Sequence, residues 1–369
     1  MGEILNNYKK MALGGAILFV AGICNIAQAA SKYTITILST PQLPSSTATG
    51  INANGQVVGW GFDPGAWPRT QAFYLDSKSS AYLGGFYATD NNDLGDVAGF
   101  GPNMPGYSDS HAFIYHQGTV TNIGSLVDLG MGTSYAQGIN NAGQVVGFSS
   151  AYSGPAAFLY QAGHVTWLSN PFGGNSISAW AISNSGYITG GAATSYAAQA
   201  YLYKDGTMLG LGTLGGASAN GKAVNDVGYV AGDSLTSNGA THAFLYMNNQ
   251  MLDISPANTN YSRATGVNSA GQAVGTFAVN YSSGHDFDLH GFLYSNGITV
   301  DLNSLIDPAS GWRVDSASAI NDKGQIAATG CKASGCTAML LTPVPEPATV
   351  LYLMLGLGLL GVMKRQRNQ

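Results

Sequence analysis

The stretch Asn140-Asn-Ala-Gly143-Gln-Val-Val-Gly147, followed by Ala156-Ala-Phe-Leu-Tyr160, decides the fold, because both parts recur along the chain. The first motif is Asn-x-x-Gly followed by a short apolar segment, and its seven glycines lie 40 to 53 residues apart. In the fourth copy Ser183 replaces the Asn. A regular period of this length is typical of a repeat architecture. The motif glycines are Gly55, Gly95, Gly143, Gly186, Gly228, Gly271 and Gly324.

A second motif follows each copy of the first. It has the pattern x-Ala-Phe-Leu-Tyr, and its copies begin at Gln71, His111, Ala156, Gln199, His242, His290 and Thr337. The paired motifs resemble the HAF repeat, a family of bacterial extracellular repeats named for its His-Ala-Phe triplet. The resemblance covers nearly all of residues 31–342 and implies an extracellular location and a repeat architecture, but no particular activity.

Each repeat predicts four short strands, with a tight turn at Asn-x-x-Gly because Gly adopts a positive φ easily. The seventh repeat ends at Thr342 without a fourth strand, whereas residues 33–38 (YTITIL) form an alternating strand outside any repeat. We therefore predict an all-β fold: a seven-bladed β-propeller with four-stranded blades, in which the N-terminal strand completes the last blade. A β-solenoid or a stacked sandwich is the alternative.

The N-terminus predicts a signal peptide over residues 1–30. Lys9 and Lys10 precede an apolar stretch at residues 11–26, and Ala27-Gln-Ala29 supplies the small residues that signal peptidase reads. We expect cleavage near Ala29 or Ala30. The alternative is a retained membrane helix, for which the stretch is short.

The C-terminal residues 343–369 resemble the PEP-CTERM sorting signal. An apolar segment at residues 349–363 predicts a transmembrane helix, and a basic tail places its end on the cytoplasmic side. The resemblance implies transient inner-membrane anchoring and processing by an exosortase-type enzyme of Gram-negative bacteria, often ones that make exopolysaccharide. An ordinary anchor without sorting is the alternative. The sorting motif is Pro345, Glu346 and Pro347, and the basic tail contains Lys364, Arg365 and Arg367.

The predicted body, residues 31–342, is acidic, with 9 Lys and Arg against 17 Asp and no Glu. Because no basic stripe is present, we expect no nucleic-acid partner. Within this body the only cysteines are Cys331 and Cys336, which predict a disulfide in an oxidising compartment. A metal-binding pair is the alternative.

The most concentrated polar cluster is His285-Asp286-Phe-Asp288-Leu-His290. Two imidazoles and two carboxylates can bind a divalent metal, although a solvated loop leading into a strand is the simpler interpretation. The recurrent His111, His242 and His290 predict strand-entry hydrogen bonds. Likewise, the Asn-Asp pairs of the turns lack the spacing of a Ca²⁺ loop. We therefore expect no metal and no cofactor.

No catalytic motif is present, and a glycosidase would need two carboxylates at a fixed separation. We therefore predict a non-enzymatic cell-surface or extracellular-matrix protein that contacts exopolysaccharide or other surface proteins. The alternatives are a secreted polysaccharide hydrolase or lyase with its site in the propeller funnel, marked by two Asp and a His, and a metal-dependent lectin. Aromatic residues expected in or beside loops, where rings can stack on sugars, are Trp60, Phe62, Trp67, Phe86, Tyr107, Trp180 and Tyr196.

Overall fold

The computed structural model describes residues 32–38, 43–66, 69–75, 80–102, 110–124, 132–150, 154–280 and 288–345. The predicted signal peptide and the predicted helix at residues 349–363 lie outside these ranges. The chain divides into two compact units. The larger comprises residues 35–304 and 308–342, and the smaller comprises residues 1–34, 305–307 and 343–369. In the smaller unit the Tyr33 backbone N donates to Leu305 O at 3.0 Å, and Val344 N donates to Lys32 O at 2.9 Å.

The described residues form 28 strands and two short 3₁₀ helices. The first strand is β1 (Tyr33–Ile37). Repeats 1 and 2 contain β2 (Ser45–Ile51), β3 (Val57–Phe62), β4 (Thr70–Leu75), β5 (Ser80–Gly84), β6 (Tyr87–Asn91), β7 (Val97–Pro102), β8 (Ser110–His116) and β9 (Thr119–Asn122). Repeats 3 and 4 contain β10 (Ser134–Ile139), β11 (Val145–Ser149), β12 (Ala156–Gln161), β13 (His164–Trp167), β14 (Gly173–Ile182), β15 (Ile188–Thr194), β16 (Ala198–Lys204) and β17 (Thr207–Gly210). Repeats 5 and 6 contain β18 (Gly215–Val224), β19 (Val230–Thr236), β20 (Thr241–Met247), β21 (Gln250–Asp253), β22 (Ser262–Val267), β23 (Ala273–Asn280), β24 (Asp288–Ser295) and β25 (Ile298–Asp301). Repeat 7 contains β26 (Arg313–Ile320), β27 (Ile326–Lys332) and β28 (Gly335–Pro343), preceded by the 3₁₀ helices Leu302–Ser304 and Pro308–Ser310.

The strands of each repeat pair in chain order, which confirms the predicted all-β fold. Four repeats form separate four-stranded sheets, and β14–β17 and β18–β21 join through one parallel bridge between Ala198 and Ser218. In repeat 7 the sheet order is β1-β28-β27-β26, and Leu38 N donates to Ala338 O at 2.9 Å. The first strand of the chain therefore pairs with the last, as the missing fourth strand of repeat 7 indicates.

The seven Asn-x-x-Gly segments form the predicted tight turns. In each, the Gly backbone N donates to the carbonyl of the Asn or Ser at 2.9–3.2 Å, and the Gly φ lies between 69° and 86°. The Asn side chain fixes the turn from inside: Asn268 Oδ1, for example, accepts from Ala270 N at 3.2 Å and Gln272 N at 3.0 Å. The Asn is therefore the first residue of the turn and also supplies the side-chain oxygen that accepts hydrogen bonds within it.

A close backbone approach explains the glycine that ends Gln-Val-Val-Gly. A Cβ on Gly147 would lie 1.9 Å from the carbonyl oxygen of Tyr135 on the neighbouring first strand. The same strand carries a bulge between Ala136 and Gly138. Only glycine fits here, because any side chain would collide with backbone.

The last two strands of repeats 2 to 6 form hairpins whose two loop residues both have positive φ, as in Asn296 (52°) and Gly297 (82°). The fourth strand of each of these repeats ends just before an apolar residue. The next residue, such as Ile123 or Leu168, still donates to the third strand and is buried in the core. Core phenylalanines from the second motif, Phe73, Phe158, Phe244 and Phe292, are fully buried.

Candidate functional site

The first strands of all seven repeats line one cavity of about 530 Å³ in the larger unit. The lining includes residues of the Asn-x-x-Gly turns and the residues that precede them, which we call the cavity wall. One wall residue from each repeat lies three positions before the motif Asn or Ser. These wall residues are Thr49, Thr89, Gln137, Trp180, Lys222, Thr265 and Ser318.

Hydrogen bonds between turns run from repeat to repeat around the cavity. The Nδ2 of each motif Asn donates to the backbone carbonyl of the motif residue in the next repeat, at 2.8–3.1 Å, in six of the seven positions. The bond from Asn321 to Asn52 O closes the series from repeat 7 to repeat 1. Ser183 is the exception, and there Ser185 N donates to Asp226 Oδ1 at 2.8 Å instead. We call this series the motif-Asn ring.

The turn aspartates serve the same ring. Asp93 Oδ1 accepts from Ala53 N, and Asp322 Oδ1 accepts from Ser269 N, both at 2.8 Å and both from the preceding repeat. These contacts support the interpretation of the Asn-Asp pairs as turn chemistry.

In four repeats the wall residue is a hydroxyl that links two repeats. Thr49 Oγ1 donates to Ala88 O at 2.9 Å, Thr89 Oγ1 to Ala136 O at 3.0 Å, and Thr265 Oγ1 to Ala317 O at 2.7 Å. Ser318 Oγ donates to Ala48 O at 2.6 Å. In repeats 3, 4 and 5 the same position holds Gln137, Trp180 and Lys222, which place larger groups on the cavity wall.

Repeat 2 contributes two polar groups that the other repeats lack. Asp90 Oδ1 accepts from Asn91 N at 2.9 Å, and its Oδ2 accepts from Ile139 N at 3.0 Å. Burial raises the pKa of Asp90 to about 6, although these two backbone N–H groups act in the opposite direction. Asn91 is only 5% exposed; its Nδ2 donates to Gln56 O, and its Oδ1 has no partner among the described residues.

Lys222 carries the positive charge of the wall. Its Nζ lies 3.7 Å from the centre of the Trp180 ring, a cation–π contact. Burial lowers the pKa of Lys222 to about 8; Asp233 opposes this shift and Arg263 adds to it. Asp233 is itself paired with Arg263, Nε to Oδ1 at 2.9 Å. Among the described residues no carboxylate oxygen lies within 4.0 Å of the Lys222 ammonium.

A continuous row of six aromatic rings ends on Trp180. Successive ring centroids are 5.0–5.5 Å apart, and every ring is partly exposed. The row crosses repeats 1 to 4 on their first and second strands. It consists of Trp60, Tyr87, Phe100, Tyr135, Phe148 and Trp180, and we call it the aromatic row.

The aromatic residues singled out from the sequence differ in their location and exposure. Trp60 and Trp180 belong to the aromatic row, but in strands and not in loops. Phe86 lies in the bend between β5 and β6, as expected, but its ring is 4% exposed and stacks on Phe113 in the core, so it is not available to a sugar. Phe62 and Tyr196 are exposed, Tyr196 almost completely. Trp67 and Tyr107 lie outside the described residues.

The recurrent histidines make the strand-entry bonds predicted for them in two repeats. His242 Nδ1 lies 2.7 Å from Asp253 Oδ2, and His290 Nδ1 lies 2.6 Å from Asp301 Oδ2. Each pair joins the third strand to the fourth. The shared position therefore serves the hairpin, and its histidines do not meet at one centre.

The polar cluster at residues 285–290 is only partly described, because His285 and Asp286 lie outside the described ranges. Asp288 Oδ1 accepts from Arg313 Nη1 at 2.7 Å and lies 3.8 Å from His290 Nε2. The opposite ring nitrogen of His290 bonds Asp301. The described atoms that could bind a metal are thus already paired within the protein, and Asp288 and Asp301 lie on opposite sides of the His290 ring.

Cys331 and Cys336 are joined in a disulfide across the β27–β28 hairpin. The carboxylate of Asp315 lies within 4.8 Å of both sulfurs, but a disulfide offers no thiolate to a metal. Of the sorting-signal residues, Pro345 is described; Glu346, Pro347, Lys364, Arg365 and Arg367 lie outside the described residues.

Asp90, Asn91, Gln137 and Lys222 carry no motif of their own, and only an alignment of the repeats with one another distinguishes them. The two residues before the motif Asn are Gly or Ala and then Ile or Val in six repeats, but Asp90 and Asn91 in repeat 2. The cavity wall in the described residues holds no histidine.

Comparison with solved structures gives distant similarities. A puromycin-hydrolyzing peptidase from Mycobacterium tuberculosis is 11% identical, with a TM-score of 0.53 over 86% of this chain and 56% of that chain. The β-propeller domain of the Trilobed protease from Pyrococcus furiosus is 6% identical, with a TM-score of 0.49 over 82% and 99%. TolB from Acinetobacter baumannii is 12% identical, with a TM-score of 0.44 over 79% and 64%. The chain thus spans less than two thirds of the TolB and peptidase chains, and the likeness to the peptidase concerns the fold alone.

No curated protein matches the chain in sequence. Within the described residues, no helix has the length and apolar character needed to cross a membrane. The PEP-CTERM protein-sorting motif matches residues 343–368. The chain therefore carries a PEP-CTERM sorting signal, which implies sorting by an exosortase-type system to the cell surface or beyond.

Proposed function

We propose that this chain is an exported, non-enzymatic seven-bladed β-propeller that contacts exopolysaccharide at the cell surface or in the extracellular matrix. The sorting signal supports the route, with signal peptidase and an exosortase-type enzyme as processing partners. The motif-Asn ring, the cavity lined by all seven first strands, and the pairing of β1 with β28 support the seven-bladed arrangement.

The aromatic row is the observation that carries the binding proposal. Partly exposed rings arranged along a surface offer apolar faces on which successive sugar rings can stack. Six rings at spacings of 5.0–5.5 Å form one continuous strip. On most protein surfaces, by contrast, exposed apolar residues are scattered singly. A strip of this kind suits an extended polymer better than a small compact ligand.

Binding of the full chain to the exopolysaccharide of the bacterium that encodes it tests this proposal. Tyr135→Ala removes a central ring that contacts both Phe100 and Phe148. The loss of about 1.5 kcal/mol of stacking should weaken binding roughly tenfold, whereas Tyr135→Phe, which keeps the ring, should bind normally. The matched control is Tyr196→Ala, because Tyr196 is 99% exposed and outside the row. Equal effects of Tyr135→Ala and Tyr196→Ala would contradict the proposal.

The alternative from another class is a polysaccharide hydrolase or lyase with Asp90 as its acid. A carboxyl group with a raised pKa in a polar cavity is the type of residue that acts in acid–base catalysis. This alternative requires the release of reducing ends or unsaturated products from the exopolysaccharide, and the loss of that release in Asp90→Asn. Binding without any product supports the non-enzymatic proposal.

A further inference from the structure

The positions that build the aromatic row carry charges in later repeats. One position follows the Gly or Ala that ends the segment of the type Gln-Val-Val-Gly, and the other is its register partner on the first strand. Repeat 5 holds Asp233 at the second-strand position, and repeat 6 holds Arg263 at the first-strand position. In repeats 1 to 3 the two positions hold five rings of the row, which are Trp60, Tyr87, Phe100, Tyr135 and Phe148.

An ion pair replaces a ring contact at these positions. Asp233 Oδ1 lies 2.9 Å from Arg263 Nε, and this pair joins the second strand of repeat 5 to the first strand of repeat 6. The ring contacts between repeats 1 and 2 and between repeats 2 and 3 join the same two strands. Lys222 connects the two kinds of residue, because its Nζ lies 3.7 Å from the centre of Trp180, the last ring of the row. We call Lys222, Asp233 and Arg263 the charged segment.

The charged segment has an excess of positive charge. It contains two cations and one carboxylate, and the Arg263 side chain is 42% exposed whereas that of Asp233 is 11% exposed. Among the described residues, Asp233 is the only carboxylate within 4.0 Å of the Arg263 guanidinium, and none lies that close to the Lys222 ammonium.

The sign of this charge contrasts with that of the predicted body. Residues 31–342 hold 17 Asp against 9 Lys and Arg. An anionic ligand is therefore repelled by the body as a whole and attracted where the cations lie next to the rings. Charge complementarity thus favours an anionic polymer over a neutral one at the end of the aromatic row.

We propose that the aromatic row and the charged segment together bind an acidic polysaccharide, whose sugar rings stack on the row and whose carboxylates pair with Lys222 and Arg263. This proposal rests on the proposed contact with exopolysaccharide and names the chemical class of that polymer. A guanidinium has five N–H donors, so Arg263 can pair with a second carboxylate while it holds Asp233. The rings and the cations belong to repeats 1 to 6, so a ligand that contacts both is an extended chain.

Binding of the full chain to the exopolysaccharide of its own bacterium, in native and in carboxyl-reduced form, tests the proposal. Chemical reduction converts each uronic acid of the polymer into the neutral sugar and leaves the rest of the chain unchanged. We expect the native polymer to bind about tenfold more tightly, because only it can form charge-assisted hydrogen bonds with the two cations. This preference should shrink at high salt, since salt screens exposed charges.

Variants of Lys222 separate its charge from its packing. Lys222→Met keeps an apolar side chain against Trp180 but removes the charge, and it should abolish most of the preference for the native polymer. Lys222→Arg keeps the charge and should retain the preference. The matched control is Lys204→Met, because Lys204 makes a similar contact with the Tyr187 ring, 4.3 Å from its centre, outside the aromatic row. This control should also retain the preference.

The two polymer forms also distinguish this proposal from the one on which it rests. Equal binding of the native and carboxyl-reduced polymers, or an exopolysaccharide without acidic sugars, would overturn the acidic class and leave the contact with polysaccharide standing. Absence of binding to either form would overturn both proposals. Tyr135→Ala should weaken the binding of both forms while the native form remains the tighter ligand; a variant that binds both forms as the wild type does would show that the rings take no part.

Discussion

Replacing Asn268 tests how the motif-Asn ring contributes to stability. Asn268 is 2% exposed and makes four side-chain hydrogen bonds: two as donor, to Gln272 Oε1 and Asn321 O, and two as acceptor, from Ala270 N and Gln272 N. Each bond contributes about 1 kcal/mol net, so Asn268→Ala should lower the free energy of unfolding by about 4 kcal/mol.

The serine of repeat 4 supplies a matched pair of variants. Asn268→Ser keeps a hydroxyl acceptor, as Ser183 does for Tyr187 N at 3.2 Å, but loses the donor to the next repeat. We expect a loss of about 2 kcal/mol. The reverse change, Ser183→Asn, introduces the missing donor toward Asn225 O and should stabilise the protein by about 1 kcal/mol.

Urea unfolding followed by tryptophan fluorescence measures all three variants, with the slope of the transition checked against the wild type. A loss below about 1 kcal/mol for Asn268→Ala would refute the reasoning, because the turn and ring bonds would then contribute no more than surface contacts. Destabilisation by Ser183→Asn would show that repeat 4 is not equivalent to the others at the ring.

Three further outcomes are expected. Gly147→Ala should prevent folding or lower the free energy of unfolding by more than about 4 kcal/mol, because the added Cβ would lie 1.9 Å from a backbone oxygen. Gly163→Ala, at a positive φ in open space, should lower it by only about 1 kcal/mol. Thermal unfolding of the two variants compares these effects. Replacing Cys331 and Cys336 with Ala should lower the stability by about 2 kcal/mol, as loop closure over five residues predicts, and thiol titration of the wild type should find neither thiol free. Asp90 has a folded pKa near 6, above that of an unfolded Asp, so the stability it contributes is complete below about pH 4 and is lost as the pH rises through 6; urea unfolding of Asp90→Asn over this range should lack that decline.

The sequence predicted the repeating elements well, because their signals are local. The Asn-x-x-Gly turns follow from glycine's access to positive φ, and the pairing of β1 with β28 follows from one missing strand in repeat 7. Burial of the second-motif phenylalanines follows from the alternation of side chains along a strand.

The site was harder to predict because it depends on contacts between repeats. Asn52 and Asn321 are 269 residues apart, and nothing local indicates that one donates to the carbonyl of the other. The aromatic row likewise joins rings from four repeats, and its members Tyr87 and Phe100 carry no motif of their own. Phe86, by contrast, is adjacent to Tyr87 in sequence, but it lies in the bend between β5 and β6 and its ring is buried in the core.

A glycan array probed with the full chain, with and without EDTA, tests the central claim of exopolysaccharide contact most directly. We expect selective binding to extended glycans that persists in EDTA, because the aromatic row requires no metal. Absence of binding to every glycan would contradict the claim and favour a scaffold held by contacts with other surface proteins. Binding that EDTA abolishes would instead indicate a metal-dependent lectin, with His285, Asp286, Asp288 and His290 as its candidate ligands.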